Sequence, residues 1–149
     1  MQISIERILQ TSKNFSEVNH LPYAGAVTPL EAHYLVDVGY AVMVDVRTAA
    51  ELALVGRVPN VINIEWAFYP AMQANTNFST ELSVATDVAV PIIFMCRTGV
   101  RSHNAAVLAT GLGYTAYNML EGFEGESNEH GQRTMINGWK KAGLPWTNK

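Results

Sequence analysis

The chain predicts a one-domain α/β fold, an open parallel β-sheet with helices on both faces. Three observations carry that expectation. Short, almost wholly apolar runs stand at 42–46, 61–64 and 91–95, and a strand covered on both faces reads as such a run instead of an alternation. Segments with helix-start chemistry lie between the runs, and strands alternating with helices pair in parallel through right-handed crossovers. The length, 149 residues, suits one hydrophobic core, and no internal repeat divides it.

Residues 2–10 place Ile5, Ile8 and Leu9 on one helical face, a short helix that packs on the domain; it is too short and too weakly charged for a membrane anchor. Residues 11–25, with Ser, Asn, Pro and Gly, read as a connecting arm. The chain thus divides into an N-terminal helix and arm, 1–25, and the domain proper, 26–149. Thr28 caps a helix whose first residue is Pro29, and Gly39 ends it. The strand 42–46 follows. Thr48 opens a helix through Leu54, and 61–64 is a second central strand. A helix-like segment covers 65–75, and another begins where Ser79 or Thr80 can cap Glu81 onward. Strand 91–95 leads into a helix that runs to Thr110 and stops at Gly111. Residues 114–119 form the last strand.

Composition removes several classes of function. A net charge of −3 gives no general pull toward nucleic acid or acidic membranes. No apolar stretch reaches the roughly 18 residues of a membrane span. The one cysteine, Cys96, excludes an intrachain disulfide and argues against a cysteine-based metal site. His20, His33, His103 and His130 lack metal-ligand spacing, so neither metal nor cofactor is expected. The first residues lack a basic segment followed by a long apolar one, so no secretory signal is read. A reducing cytoplasm suits a chain whose single thiol must stay free.

The chemistry concentrates where Pro91-Ile92-Ile93-Phe94-Met95 ends at Cys96-Arg97-Thr98-Gly99-Val100-Arg101-Ser102. A strand, a tight turn and a helix put a thiol at the bottom of the turn. A helix start presents unpaired N–H groups and partial positive charge, both favouring a sulfur anion. Gly99 lets the backbone turn so that successive N–H groups point inward. A buried structural cysteine would need neither this glycine nor arginines one and five positions on. Arg97 faces the entrance and attracts anionic donors. Arg101 either braces the loop through Asp45 or Glu51 or touches substrate. Thr98 and Ser102 offer hydroxyls, Ser102 equally as a helix cap. Asp45 reads as a strand-end residue tying its turn, and Arg47 as the partner of Glu51 in an exposed helix-start ion pair. Trp66, Phe68 and Tyr69 form either an apolar wall at the mouth or core packing, and His103 borders the pocket.

The loop Cys96 to Ser102 resembles the active-site loop of the rhodanese family of sulfurtransferases. The likeness extends in one register over roughly 26–146: Thr28-Pro29-Leu30-Glu31-Ala32, Val42-Met43-Val44-Asp45-Val46-Arg47, Glu51, Gly56 to Ile64, Leu120-Glu121-Gly122-Phe123-Glu124-Gly125, and Gly138-Trp139 to Pro145. Ordered agreement of this kind is more specific than one short motif. The chain departs at Gly56-Arg57-Val58-Pro59-Asn60-Val61, where the family commonly has Gly-His-Ile-Pro-Gly-Ala. Its segment 126–137 is also longer than in minimal members.

The resemblance implies a rhodanese-like fold and a Cys96 persulfide, stabilised by the N–H groups from Arg97 to Ser102, with Asp45, Arg47 and Glu51 in support. Sulfane sulfur would pass from a small donor such as thiosulfate to cyanide, a thiol or a protein acceptor. Two other classes compete. Cysteine-loop phosphatases and arsenate reductases place Arg six residues after Cys, whereas Arg101 stands five after Cys96, a tighter cradle suited to one sulfur atom. A non-catalytic binding module on this fold generally lacks the cysteine or the glycine, and both are present.

Overall fold

The computed structural model describes residues 4–149, so the first residues of the expected 2–10 helix lie outside the described residues. Helix α1 (Ile5–Val18) starts at Ser4, whose side chain accepts from Arg7 N–H at 3.2 Å. It continues through much of the expected arm. Its buried face runs Ile8, Ser12, Ser16, a four-residue spacing carried by small polar side chains that hydrophobicity alone does not reveal. Ser12 lies so close to Gly25 that a Cβ there would come within 2.7 Å, and Ser16 donates to Tyr23 O at 3.0 Å.

That close approach belongs to β1 (Gly25–Val27), a strand the sequence reading passes over. The boundary placed between 25 and 26 falls inside it, and Ile8 shares a core with Val27, Leu35 and Met119. Helix α2 (Pro29–Asp37) begins with a capping box. Thr28 Oγ1 accepts from Glu31 N–H, and the Glu31 carboxylate accepts from Thr28 N–H, worth about 1 kcal/mol. Strand β2 (Val42–Asp45), helix α3 (Ala49–Val55) with a second capping box on Thr48 and Glu51, and strand β3 (Ile62–Asn63) follow.

Residues 65–75 are not helical. They form a hairpin of β4 (Ala67–Phe68) and β5 (Gln73–Ala74). Pro70 bars helical backbone at the residue before it and lacks an N–H for a helix interior. Asn75 locks the hairpin: its N–H bonds Trp66 O at 3.0 Å and its amide Glu65 O at 2.8 Å. Helix α4 (Phe78–Ala85) then starts at Asn77, upstream of the expected caps Ser79 and Thr80. Strand β6 (Ile92–Met95), helix α5 (Val100–Gly111) and strand β7 (Ala116–Met119) complete the order.

Five strands form one parallel sheet in the order β1-β7-β6-β2-β3. One face packs on α1 and α2 around Leu35, Met43, Ile93, Met95 and Trp139. The other packs on α4 and α5 around Val44, Leu82, Ile92, Phe94, Ala105 and Ala109. From β2 the chain runs outward to β3, then returns to β6 and leaves toward β7. The order therefore reverses between β2 and β6, and ligands bind beyond the carboxyl ends of strands at such a reversal. Among the described residues, no helix is long and apolar enough to cross a membrane.

Candidate active site

Cys96 follows β6 at that reversal and is 1% exposed. Gly99 carries a left-handed φ of 114° and forms the N-cap of α5, a conformation that favours glycine. The turn aims Gly99 N–H at the sulfur, with N···Sγ 3.0 Å. The N–H groups of Thr98, Val100 and Arg101 donate to no acceptor among the described residues. Those of Val100 and Arg101 are orphan donors of a helix start, and Thr98 stands one residue before the cap. A sulfur on the floor of a loop with free donors above it can hold a second, anionic sulfur.

Ser102 is not the cap. It is the third residue of α5, fully buried, and its Oγ lies 3.3 Å from Cys96 Sγ. The cap position is taken by Gly99, which leaves the hydroxyl free to face the sulfur. Ser102 Oγ donates its one proton to Asn118 Oδ1 at 2.6 Å, while Asn118 Nδ2 donates to Gly99 O at 3.2 Å. Asn118 is absent from the sequence-based site. Its signal was an amide within the buried run Ala116–Met119, on the strand face where only a polar partner repays burial. Tyr23, also unforeseen, bonds His103 Nδ1 through its hydroxyl at 2.7 Å. Burial raises the Tyr23 pKa above the usual phenol value, against a hydrogen bond from Asn118 that lowers it. His103 is thus held against Tyr23.

Arg101 grips Glu51 with both ends of its fork, Nη1 to Oε1 at 2.7 Å and Nη2 to Oε2 at 2.9 Å. The same carboxylate accepts from Thr48 N–H and Oγ1. Glu51 thereby completes the capping box of α3 and ties that helix to the first turn of α5. Burial alone would raise the Glu51 pKa; the Arg101 hydrogen bonds and charge, with Thr48, bring it down to about 2. For Arg101, burial works against the charge, but Glu51 foremost, then Cys96 and Asp45, hold it above the ordinary arginine value.

Arg47 does not pair with Glu51. It folds back on Asp45, with Nη2···Oδ2 2.8 Å and both side chains 0% exposed. The Asp45 carboxylate also accepts from Arg47 N–H and Nε, and Arg47 Nη2 bonds Gly56 O. Glu51 is already taken by Arg101, and a guanidinium this deep needs a carboxylate beside it. Its Cζ stacks 4.2 Å from the Phe123 ring centroid, while Nη1 has no hydrogen-bond partner. Phe123 in turn donates its N–H to Cys96 O at 2.8 Å, and Glu124 and Gly125 donate to Arg97 O. Gly122 lets this clamp close, since a Cβ there would lie 2.3 Å from Arg97 O.

The remaining predicted residues sit at the rim. Arg97 and Val100 are exposed and Thr98 half-buried. Trp66 packs edge-on against Phe78 at 4.9 Å, whereas Phe68 and Tyr69 are exposed on the hairpin. Segment 126–137 closes on itself, Arg133 bonding Gly125 O and Asn137 capping Glu126 N–H. A separate cleft of about 360 Å³ is lined by His33, Asp37, Met43, Pro59 and Trp139 and does not include Cys96. Among the described residues, no group of three or more His, Cys, Asp or Glu side chains could hold a metal ion.

The family model of the rhodanese-like domain matches residues 28–129. The chain belongs to the rhodanese-like family. Among solved structures, this rhodanese-like domain is similar to Rv0390 from M. tuberculosis, 41% identical, covering 85% of this chain and 99% of that one with a TM-score of 0.77. A rhodanese-related protein from Thermoplasma volcanium, 18% identical over 83% of this chain and 98% of that one, shares the fold with a TM-score of 0.59. The uncharacterized protein RC0915 of Rickettsia conorii is 38% identical over 109 residues, 71% of this chain and 82% of the relative. The family match spans β2, the Asp45–Arg47 pair and the whole Cys96 loop.

Proposed function

We propose that this chain is a sulfurtransferase that moves sulfane sulfur from a donor such as thiosulfate to a thiophilic acceptor through a Cys96 persulfide. The observation that carries the reading is the sulfur on the floor of a loop whose Gly99 N–H points at it while neighbouring N–H groups stay free. The Cys96 thiolate attacks the outer sulfur of thiosulfate. A new S–S bond forms, the donor's S–S bond breaks, and sulfite leaves with the electron pair. The free N–H groups receive the anionic outer sulfur. Cyanide, a small thiol or a protein thiol then attacks that outer sulfur, and Cys96 departs as thiolate. No second cysteine resolves the persulfide within the chain, so release depends on an external nucleophile. A reducing compartment such as the cytoplasm keeps this thiol free.

Arg101 stands five residues after Cys96 and is committed to Glu51. That arrangement disfavours the phosphatase reading, which needs an arginine free to hold a tetrahedral oxyanion. The test is mass spectrometry after incubation with thiosulfate. One added sulfur atom on Cys96, removed by cyanide, is expected, together with parallel double-reciprocal lines as donor and acceptor vary. Cys96→Ser should abolish adduct and turnover with the fold intact. Near-normal turnover in that variant, or intersecting lines with no isolable adduct, would refute the covalent route.

A further inference from the structure

Two groups flank the Cys96 sulfur, the Gly99 N–H at 3.0 Å and the Ser102 hydroxyl at 3.3 Å, and one side chain holds both. Asn118 accepts from Ser102 through Oδ1 at 2.6 Å and donates to Gly99 O through Nδ2 at 3.2 Å. The two contacts fix which way the amide lies, since a flipped amide would set its NH₂ group against Ser102 and its oxygen against a carbonyl. Asn118 is 4% exposed and Ser102 fully buried, so no bulk water competes for either.

A serine hydroxyl has one proton. Here it is spent on Asn118 at short distance, so the oxygen meets the sulfur with a lone pair. We propose that Asn118 is a positioning residue that fixes the direction of the Ser102 proton and so keeps the Ser102 oxygen an acceptor, not a donor, toward Cys96. The inference rests on Cys96 being the nucleophile of the reading above. With its proton directed to Asn118, Ser102 Oγ can accept from a Cys96 S–H but gives nothing to a Cys96 thiolate. Once Cys96 carries a second sulfur, the inner atom is neutral and needs no donor, and the negative charge lies on the outer atom. Withholding the Ser102 proton leaves that charge to the free N–H groups of the loop.

The test measures the rate of Cys96 alkylation by iodoacetamide at neutral pH, followed by intact mass, which one cysteine makes unambiguous. Ser102→Ala removes the acceptor of the thiol proton and should react about two- to fivefold faster than the unmodified chain. Asn118→Ala frees the serine to turn and donate to the sulfur anion, and should react at least about tenfold faster. Asn118→Asp keeps an acceptor for Ser102 but loses the donor to Gly99 O, and should be no faster than the unmodified chain. In the Ser102→Ala background, Asn118→Ala should change the rate less than about twofold.

Slower alkylation of Ser102→Ala would mean that the hydroxyl donates to the sulfur, and overturns the proposal even if Asn118→Ala does not fold. An equal effect of Asn118→Ala in both backgrounds, or acceleration by Asn118→Asp as large as by Asn118→Ala, reduces Asn118 to a structural prop and overturns it as well. The alkylation series decides this whether or not thiosulfate loads the protein. Absence of a sulfur adduct on the unmodified chain counts against sulfur transfer alone.

Discussion

Replacing Arg101 with alanine separates bracing from substrate binding. In the folded protein the guanidinium makes two hydrogen bonds to Glu51, with the two side chains 19% and 21% exposed. Moving the Glu51 carboxyl from 4.5 to about 2 corresponds, at about 1.4 kcal/mol per tenfold in proton affinity, to roughly 3 kcal/mol. Thr48 keeps its share of that in the variant, and solvent screens a pair exposed to this degree, so the expected loss is about 1.5 kcal/mol. For a chain of this size, that lowers Tm by about 3–6 °C. The sign follows from the lowered pKa. The contribution is complete above the unfolded value near 4.5 and is lost as pH falls through about 2. Thermal melts by circular dichroism at a series of pH values, run beside sulfur-transfer kinetics, read both effects. The gap between the unmodified chain and Arg101→Ala should be full at neutral pH and shrink steadily below about 4.5. Unchanged melting with only donor KM raised would show that Arg101 binds substrate. A gap that ignores pH would show that the lost stability does not come from Glu51.

Arg47→Met strands the Asp45 carboxylate, which is 0% exposed, and should cost about 3–5 kcal/mol as a fall in the denaturant midpoint; a loss below about 1 kcal/mol would refute the burial argument. Gly122→Ala drives a Cβ against Arg97 O at a φ of +71° and should lower both Tm and sulfur loading. Gly131→Ala, at a φ of +74° with nothing within 4 Å, should cost about 1 kcal/mol and leave loading unchanged. Equal loading by the two variants, measured by mass, would remove the clamp from the account.

The parallel sheet was legible because its central strands are continuous apolar runs and its helices open with caps. Thr48 reads as a cap, and the structure adds Glu51 as its capping-box partner. Three elements escaped for physical reasons. Strand β1 is three residues long and takes its stability from β7 at 117–119, far along the chain. Helix α1 buries serines in its second half, so its periodicity is one of size, not hydropathy. The hairpin after β3 carries apolar residues that mimic a helix face until Pro70 is weighed. At the site, the Cys96 loop is contiguous in sequence and could be read directly. The brace for Arg101 could be narrowed only to Asp45 or Glu51, because spacing alone does not show which of them the fold brings within 2.7 Å across 50 residues of chain. The four-residue helical rule pairs Arg47 with Glu51, but Arg47 precedes α3 and binds Asp45 instead. Asn118 needed the fold, since only the pairing of β7 with β6 brings it beneath α5.

The clamp from Phe123 to Gly125 has a further consequence for the timing of order. These N–H groups hold Cys96 O and Arg97 O, the first two carbonyls of the loop, while Asn118 holds the fourth, that of Gly99. The loop is thereby moored to β7 and its following turn at Cys96, Arg97 and Gly99. A loop left slack would have to be immobilised each time a donor arrived, and that entropy would be subtracted from every binding event. Here the immobilisation is complete when the chain has folded. On the sulfurtransferase reading proposed above, each turnover begins from a shape already set, and the binding energy of even a very small donor is left for the chemistry of its sulfur.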